Sequence, residues 1–160
     1  RRRLVAMNVD AAPGSSSGRW DVAAIRAGIG VCLLLAIPLT LVAAFVDSDS
    51  SGLNAFFFFG AMFGFVLGGG CAAWVQRRGT PLSHSVATTI AAYVGAQSIF
   101  ILIRLVRGDD VNWFGVFFTL SLVILAGVAG GILGSQLQAR GFLPSSQTRP
   151  GQTRQGGGNR

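Results

Sequence analysis

The chain has 160 residues, 51% of them hydrophobic and only 12% charged, and its mean hydropathy is +0.55. That charged share is about half of what a soluble domain carries, which argues against a water-soluble globule and for a membrane protein. The formal charge of +7 comes from 13 basic residues, all Arg, and 6 acidic ones, all Asp; the arginines lie in tails and at the edges of apolar runs, which argues against nucleic acid as a partner and for anionic lipid headgroups.

Residues 1–19 end in a Pro/Gly/Ser stretch and read as a disordered basic tail, within which Met7 stands as a candidate start. A first apolar span follows over 22–46. It is longer than a signal-peptide core and no small-x-small cleavage site follows it, so we read it as a retained helix. Pro38 inside it removes one backbone hydrogen bond and predicts a kink. The loop "DSDSSG" leads to a second span, 53–75, rich in Phe and Gly. The loop "QRRGTPLSHS" leads to a third, 85–106, and "RGDD" to a fourth, 111–137. At about 1.5 Å per residue, each is long enough to cross about 30 Å of hydrocarbon. Residues 142–160 close the chain with "SSQTRPGQTRQGGGNR", a second tail with nothing to bury. The expected architecture is an all-α transmembrane four-helix bundle over residues 20–141, made of two tandem helical hairpins.

Eleven of the arginines fall on the side of the termini and of the second loop; only Arg104 and Arg107 fall on the other. The positive-inside rule then places both termini in the cytoplasm, in a multipass cell (inner) membrane protein. Trp20 and Trp74 sit at one membrane edge and Trp113 at the other, as interfacial anchors do.

A shift of 62 residues lays the second span on the fourth: Val66, Gly68, Gly69, Gln76, Arg78 and Gly79 recur as Val128, Gly130, Gly131, Gln138, Arg140 and Gly141. Asp47 recurs as Asp109 under the same shift. The chain therefore reads as two copies of a two-helix unit in the same orientation, with a pseudo-axis along the membrane normal. Gly60, Gly64 and Gly68 share one helix face, as do Gly127 and Gly131 with Gly134 beside them. Small residues let helix backbones approach where lipid offers no hydrophobic drive, so we read these as helix-packing positions. A backbone-lined passage is the alternative.

The third span is the most polar. Thr89, Tyr93 and Gln97 recur every four residues, and Arg104 continues their face. They serve either interhelical hydrogen bonding or a polar path or ligand groove. Arg26, Arg77, Arg78 and Arg140 lie at similar depth and are candidates for lipid headgroups. No acidic residue lies deep in a span, which leaves a proton relay without a carboxylate. Cys32 and Cys71 lack the spacing of a metal or redox site, and His84 has no second ligand near it in sequence. No nucleophile–base pair, phosphate loop or metal motif is present, so no catalytic residue, metal or cofactor is expected and the chain reads as a non-enzyme.

The segments "GFVLGGGCAAWVQRRGTPLSHS" (64–85) and "AGGILGSQLQARG" (129–141) resemble an uncharacterised type of four-helix integral membrane protein of high-GC actinobacteria. The resemblance covers about residues 20–141 and implies an inner-membrane location without an activity. That type carries Gly after the loop histidine, where this chain has Ser85. The expected role is a small membrane scaffold or accessory subunit, as a homo-oligomer or within a larger membrane complex. A small oligomeric transporter or channel with its polar path along the third span is the alternative.

Overall fold

The computed structural model describes residues 20–45, 51–142 and 144. The tails at 1–19 and 142–160 lie outside the described residues except for positions 142 and 144, as does Asp47. Among the described residues there are four α-helices and no strand: α1 Val22–Phe45, α2 Ser51–Val75, α3 Pro81–Arg107 and α4 Trp113–Ala139. All four are long and apolar enough to cross a membrane, with mean hydropathies of 2.2, 1.8, 1.8 and 2.4. Large side chains such as Phe59, Phe63, Val106 and Phe114 point outward. An apolar exterior of this kind belongs against lipid. The protein is a small multipass membrane protein.

The helix ends follow local chemistry. Helix α3 starts four residues before the apolar run does, because Pro81 pre-sets the first helical position and the polar turn Ser83–Ser85 is helical too. Hydropathy alone misses that turn, since His84 and Ser85 are buried among other helices and not in lipid. Helix α3 ends in a Schellman turn: Gly108 takes φ +77°, its N–H reaches the Leu105 carbonyl, and Asp109 N–H reaches the Arg104 carbonyl at 3.0 Å. Asn112 caps α4 by accepting from Gly115 N–H at 3.1 Å. Helix α4 ends as α3 does, with Gly141 at φ +82° and Phe142 N–H on the Leu137 carbonyl. Helix α1 continues through Pro38, and the Thr40 hydroxyl donates to the Ala36 carbonyl at 2.8 Å.

The helices run up and down. The start of α1, the α2–α3 loop and the end of α4 share one end, here the terminal end; the α3–α4 turn and the start of α2 lie at the other, the hairpin end. Helix α1 touches α2 and α3, α4 touches α2 and α3, and α2 touches α3. No Cα of α1 comes within 8 Å of one in α4. A strict two-fold relating the hairpins would make the α2–α3 and α1–α4 contacts alike, so the packing departs from the sequence repeat. Locally the repeat persists: Gly79 and Gly141 take φ +73° and +82°.

Candidate functional site: a crevice in the hairpin half

The terminal half is built on backbone contact. A Cβ at Gly68 would stand 2.7 Å from the Gly28 carbonyl oxygen of α1, and one at Gly130 would stand 2.8 Å from the Gly70 amide nitrogen of α2. Real Cβ atoms do not approach that closely, so only glycine permits these two crossings. Gly64 lies against Leu35 of α1, with looser contact between Gly60 and Leu39. Gly134 meets Ala73 of α2, while Gly127 and Gly131 face Val86, Leu82 and Ser85 of α3. Gly69 looks at Thr89 of α3, with Gly127 of α4 just behind. Three consecutive glycines, 68–70, therefore serve three different neighbours, because successive helical residues are turned by about 100°.

Side chains then tie the same half together. His84 is fully buried. Its Nε2 accepts the Asp21 backbone N–H at 2.9 Å, and its Nδ1 lies 2.9 Å from the Thr80 carbonyl oxygen. Those partners put the proton on Nδ1 and leave Nε2 as the acceptor. Asp21 caps α1 through Ala24 N–H at 3.2 Å, so the imidazole joins the start of α1 to the start of α3. The Trp20 ring lies over it, with centroids 5.3 Å apart. Gln138 of α4 donates to the Trp74 carbonyl at 2.7 Å and the Gln76 carbonyl at 3.2 Å, satisfying carbonyls at the end of α2. The Trp74 indole N–H donates to the Phe142 carbonyl. Ser85 donates to the Gly127 carbonyl at 2.5 Å, joining α3 to α4. The serine that departs from the resemblance thus ties two helices.

The hairpin half holds two cavities that meet. A cavity of about 290 Å³ lies among the helices, reached by Leu33 and Ile37 of α1, Met62 and Phe65 of α2 and Thr119 of α4, and is almost wholly apolar. A second, of about 320 Å³, lies between α3 and α4 and is half polar, with Arg104 and Asn112 on its wall. The two share Tyr93, Gln97, Phe100 and Thr119. The Tyr93 hydroxyl donates to the Val116 carbonyl at 2.8 Å, and its ring meets Phe65 edge-on at 6.5 Å. Gln97 is half-buried between the cavities and makes no hydrogen bond among the described residues. Arg104 is exposed and has no ion pair among the described residues. Thr89 sits apart: it is fully buried in the terminal half and its hydroxyl donates to the Val86 carbonyl at 3.1 Å. Of the polar face on α3, the structure brings Tyr93, Gln97 and Arg104 to the crevice and leaves Thr89 out. Asn112 and Thr119 join them from α4, residues that a one-helix periodicity cannot reveal.

Arg26, Arg77, Arg78 and Arg140 are all exposed at the terminal end. Arg140 borders a groove of about 450 Å³ between α2 and α4, floored by Gly70 and Gly134. Among the described residues no three of His, Cys, Asp and Glu converge as metal ligands do. Cys32, buried against Gly68, and Cys71 are both free thiols. No family model, curated protein or solved structure matches this chain.

Proposed function

We propose that the protein is a non-enzymatic accessory subunit or scaffold of the cell membrane, with both termini in the cytoplasm, that associates with a second copy or a larger membrane complex. The observation that carries this reading is the internal use of the glycines. They close the terminal half with backbone-to-backbone contact within one chain, leaving little room for a passage through a single copy. The outward faces of α1 and α4, at opposite corners of the bundle, remain for a partner. The arginine asymmetry supports the orientation, and the exposed arginines at the terminal end suit anionic headgroups. Native mass spectrometry of the tagged chain extracted from its own host's membranes tests the role: a defined complex with itself or a second polypeptide is expected, and a bare monomer throughout would overturn it. A periplasm-active reporter fused after residue 141 should stay silent; activity there would reverse the orientation.

A transporter is the second reading, favoured by Gln97, which stands between two cavities with no partner among the described residues. It requires flux that disappears in Gln97→Leu while the fold survives.

A further inference from the structure

We infer that the paired cavities of the hairpin half form a binding site for a single-chain anionic glycerophospholipid, entering from the leaflet at that end. This inference rests on the membrane embedding alone and not on the accessory role. Three features of the crevice converge on that chemistry. Arg104 lies in the last turn of α3, at the level where lipid headgroups begin, and among the described residues its guanidinium has no carboxylate on it. The polar cavity it borders also meets the first turn of α4, through Asn112 and Gly115. A helix N-terminus carries partial positive charge and adds to the attraction for a phosphate. An anion on Arg104 gains charge-assisted, bidentate hydrogen bonds.

Seven residues deeper, about 10 Å along the helix at about 1.5 Å per residue, stands Gln97. An amide without a partner is costly at membrane depth. A phospholipid with its phosphate on Arg104 presents its glycerol and ester oxygens below it, within reach of the Gln97 Nε2 donor. Beyond Gln97 the half-polar cavity gives way to the apolar one, through the shared wall of Tyr93, Phe100 and Thr119. That second space, about 290 Å³, offers the hydrocarbon surroundings that one acyl chain requires. A diacyl lipid must leave its second chain outside. Headgroup charge, ester and chain thus map in order onto Arg104, Gln97 and the Met62–Phe65 wall.

The test is native mass spectrometry of the full chain in a non-ionic detergent, with monoacyl phosphatidylglycerol added. Monoacyl phosphatidylcholine of the same chain length and diacyl phosphatidylglycerol serve as comparators. One monoacyl phosphatidylglycerol per chain is expected, at occupancy well above either comparator. Losing hydrogen bonds to a charged group weakens binding by about tenfold or more, so Arg104→Gln should lower that occupancy by about tenfold and erase the preference over phosphatidylcholine. Gln97→Leu should weaken both monoacyl adducts. Arg107→Gln, one turn on and outside the crevice, should change nothing. Circular dichroism confirms that each variant keeps its helices. If Arg104→Gln fails that check, Ala96→Phe, which fills the apolar cavity without touching a charge, decides by abolishing the adduct. Equal binding of all three lipids, adducts indifferent to the Arg104, Gln97 and Ala96 variants, or an Arg107→Gln loss equal to that of Arg104→Gln would each overturn the assignment and leave only annular lipid.

Discussion

The two halves of this bundle solve the same problem in opposite ways. At the terminal end the helices meet through glycine, and the polar side chains are consumed by ties between helix ends: His84 to Asp21, Gln138 to Trp74 and Gln76, Ser85 to Gly127. At the hairpin end the helices carry Phe, Met and Leu, enclose two joined cavities, and leave the Gln97 and Arg104 side chains without partners among the described residues. In lipid, where apolar side chains gain nothing by leaving the solvent, close contact has to come from small residues and hydrogen bonds. The terminal half has both; in the hairpin half Tyr93 bonds across to the Val116 carbonyl. One half is therefore tied by close glycine contacts and hydrogen bonds, and the other carries the two joined cavities.

That contrast is open to direct attack by substitution. The largest effect should come from Gly68→Leu, whose side chain would have to displace the Gly28 carbonyl and the Cys32 backbone. Overpacking typically costs about 1–3 kcal/mol, and rigid backbone on the far side puts this case at about 3 kcal/mol or more. Thermal unfolding in detergent should show a large drop, whereas Gly95→Leu, with nothing within 4 Å of its Cβ, should leave the transition in place. Comparable losses at both positions would remove the distinction between a packed face and an open one. Next comes His84→Ala, which strands the Asp21 N–H at the start of α1 and should cost about 1–3 kcal/mol in the same assay. Tyr93→Phe, in the hairpin half, removes one interhelical hydrogen bond and should cost only about 0.6 kcal/mol, the average for such bonds in membranes. Smallest of all, Gln97→Leu removes an amide with no partner among the described residues and should leave stability unchanged or slightly raised; a clear loss would mean that Gln97 has a structural partner after all.

Much of the fold is legible in the sequence, for a physical reason. A span must be about 20 apolar residues long, and the four runs announce themselves. Gly108 and Gly141 mark two helix ends, since their left-handed conformation favours a residue without a Cβ. The polar first turn of α3 escapes hydropathy because its solvent is the rest of the bundle. The 60/64/68 periodicity points to one face of α2, but nothing in it says that this face meets α1 or that Gly69 and Gly70 turn to α3 and α4. Periodicity describes a helix by itself and cannot name the neighbour. His84 reads as an isolated side chain for the same reason. Its partner, the Asp21 amide, is 63 positions away, and the only clue is that each hairpin begins at the same end of the bundle. The crevice is least legible, being assembled from α3 and α4 residues that share no motif.

The most direct test of the contrast between the two halves is side-chain accessibility to a small, charged, membrane-impermeant thiol reagent. In a Cys32→Ala, Cys71→Ala background, single variants Gln97→Cys and Thr119→Cys would be compared with Ser85→Cys and Thr89→Cys in vesicles. The account predicts that the first pair reacts from the hairpin side alone and that the second pair does not react from either side. Reaction at Ser85→Cys or Thr89→Cys at rates like those of the crevice positions would mean that the terminal half is not closed, and the contrast between the two halves would fall.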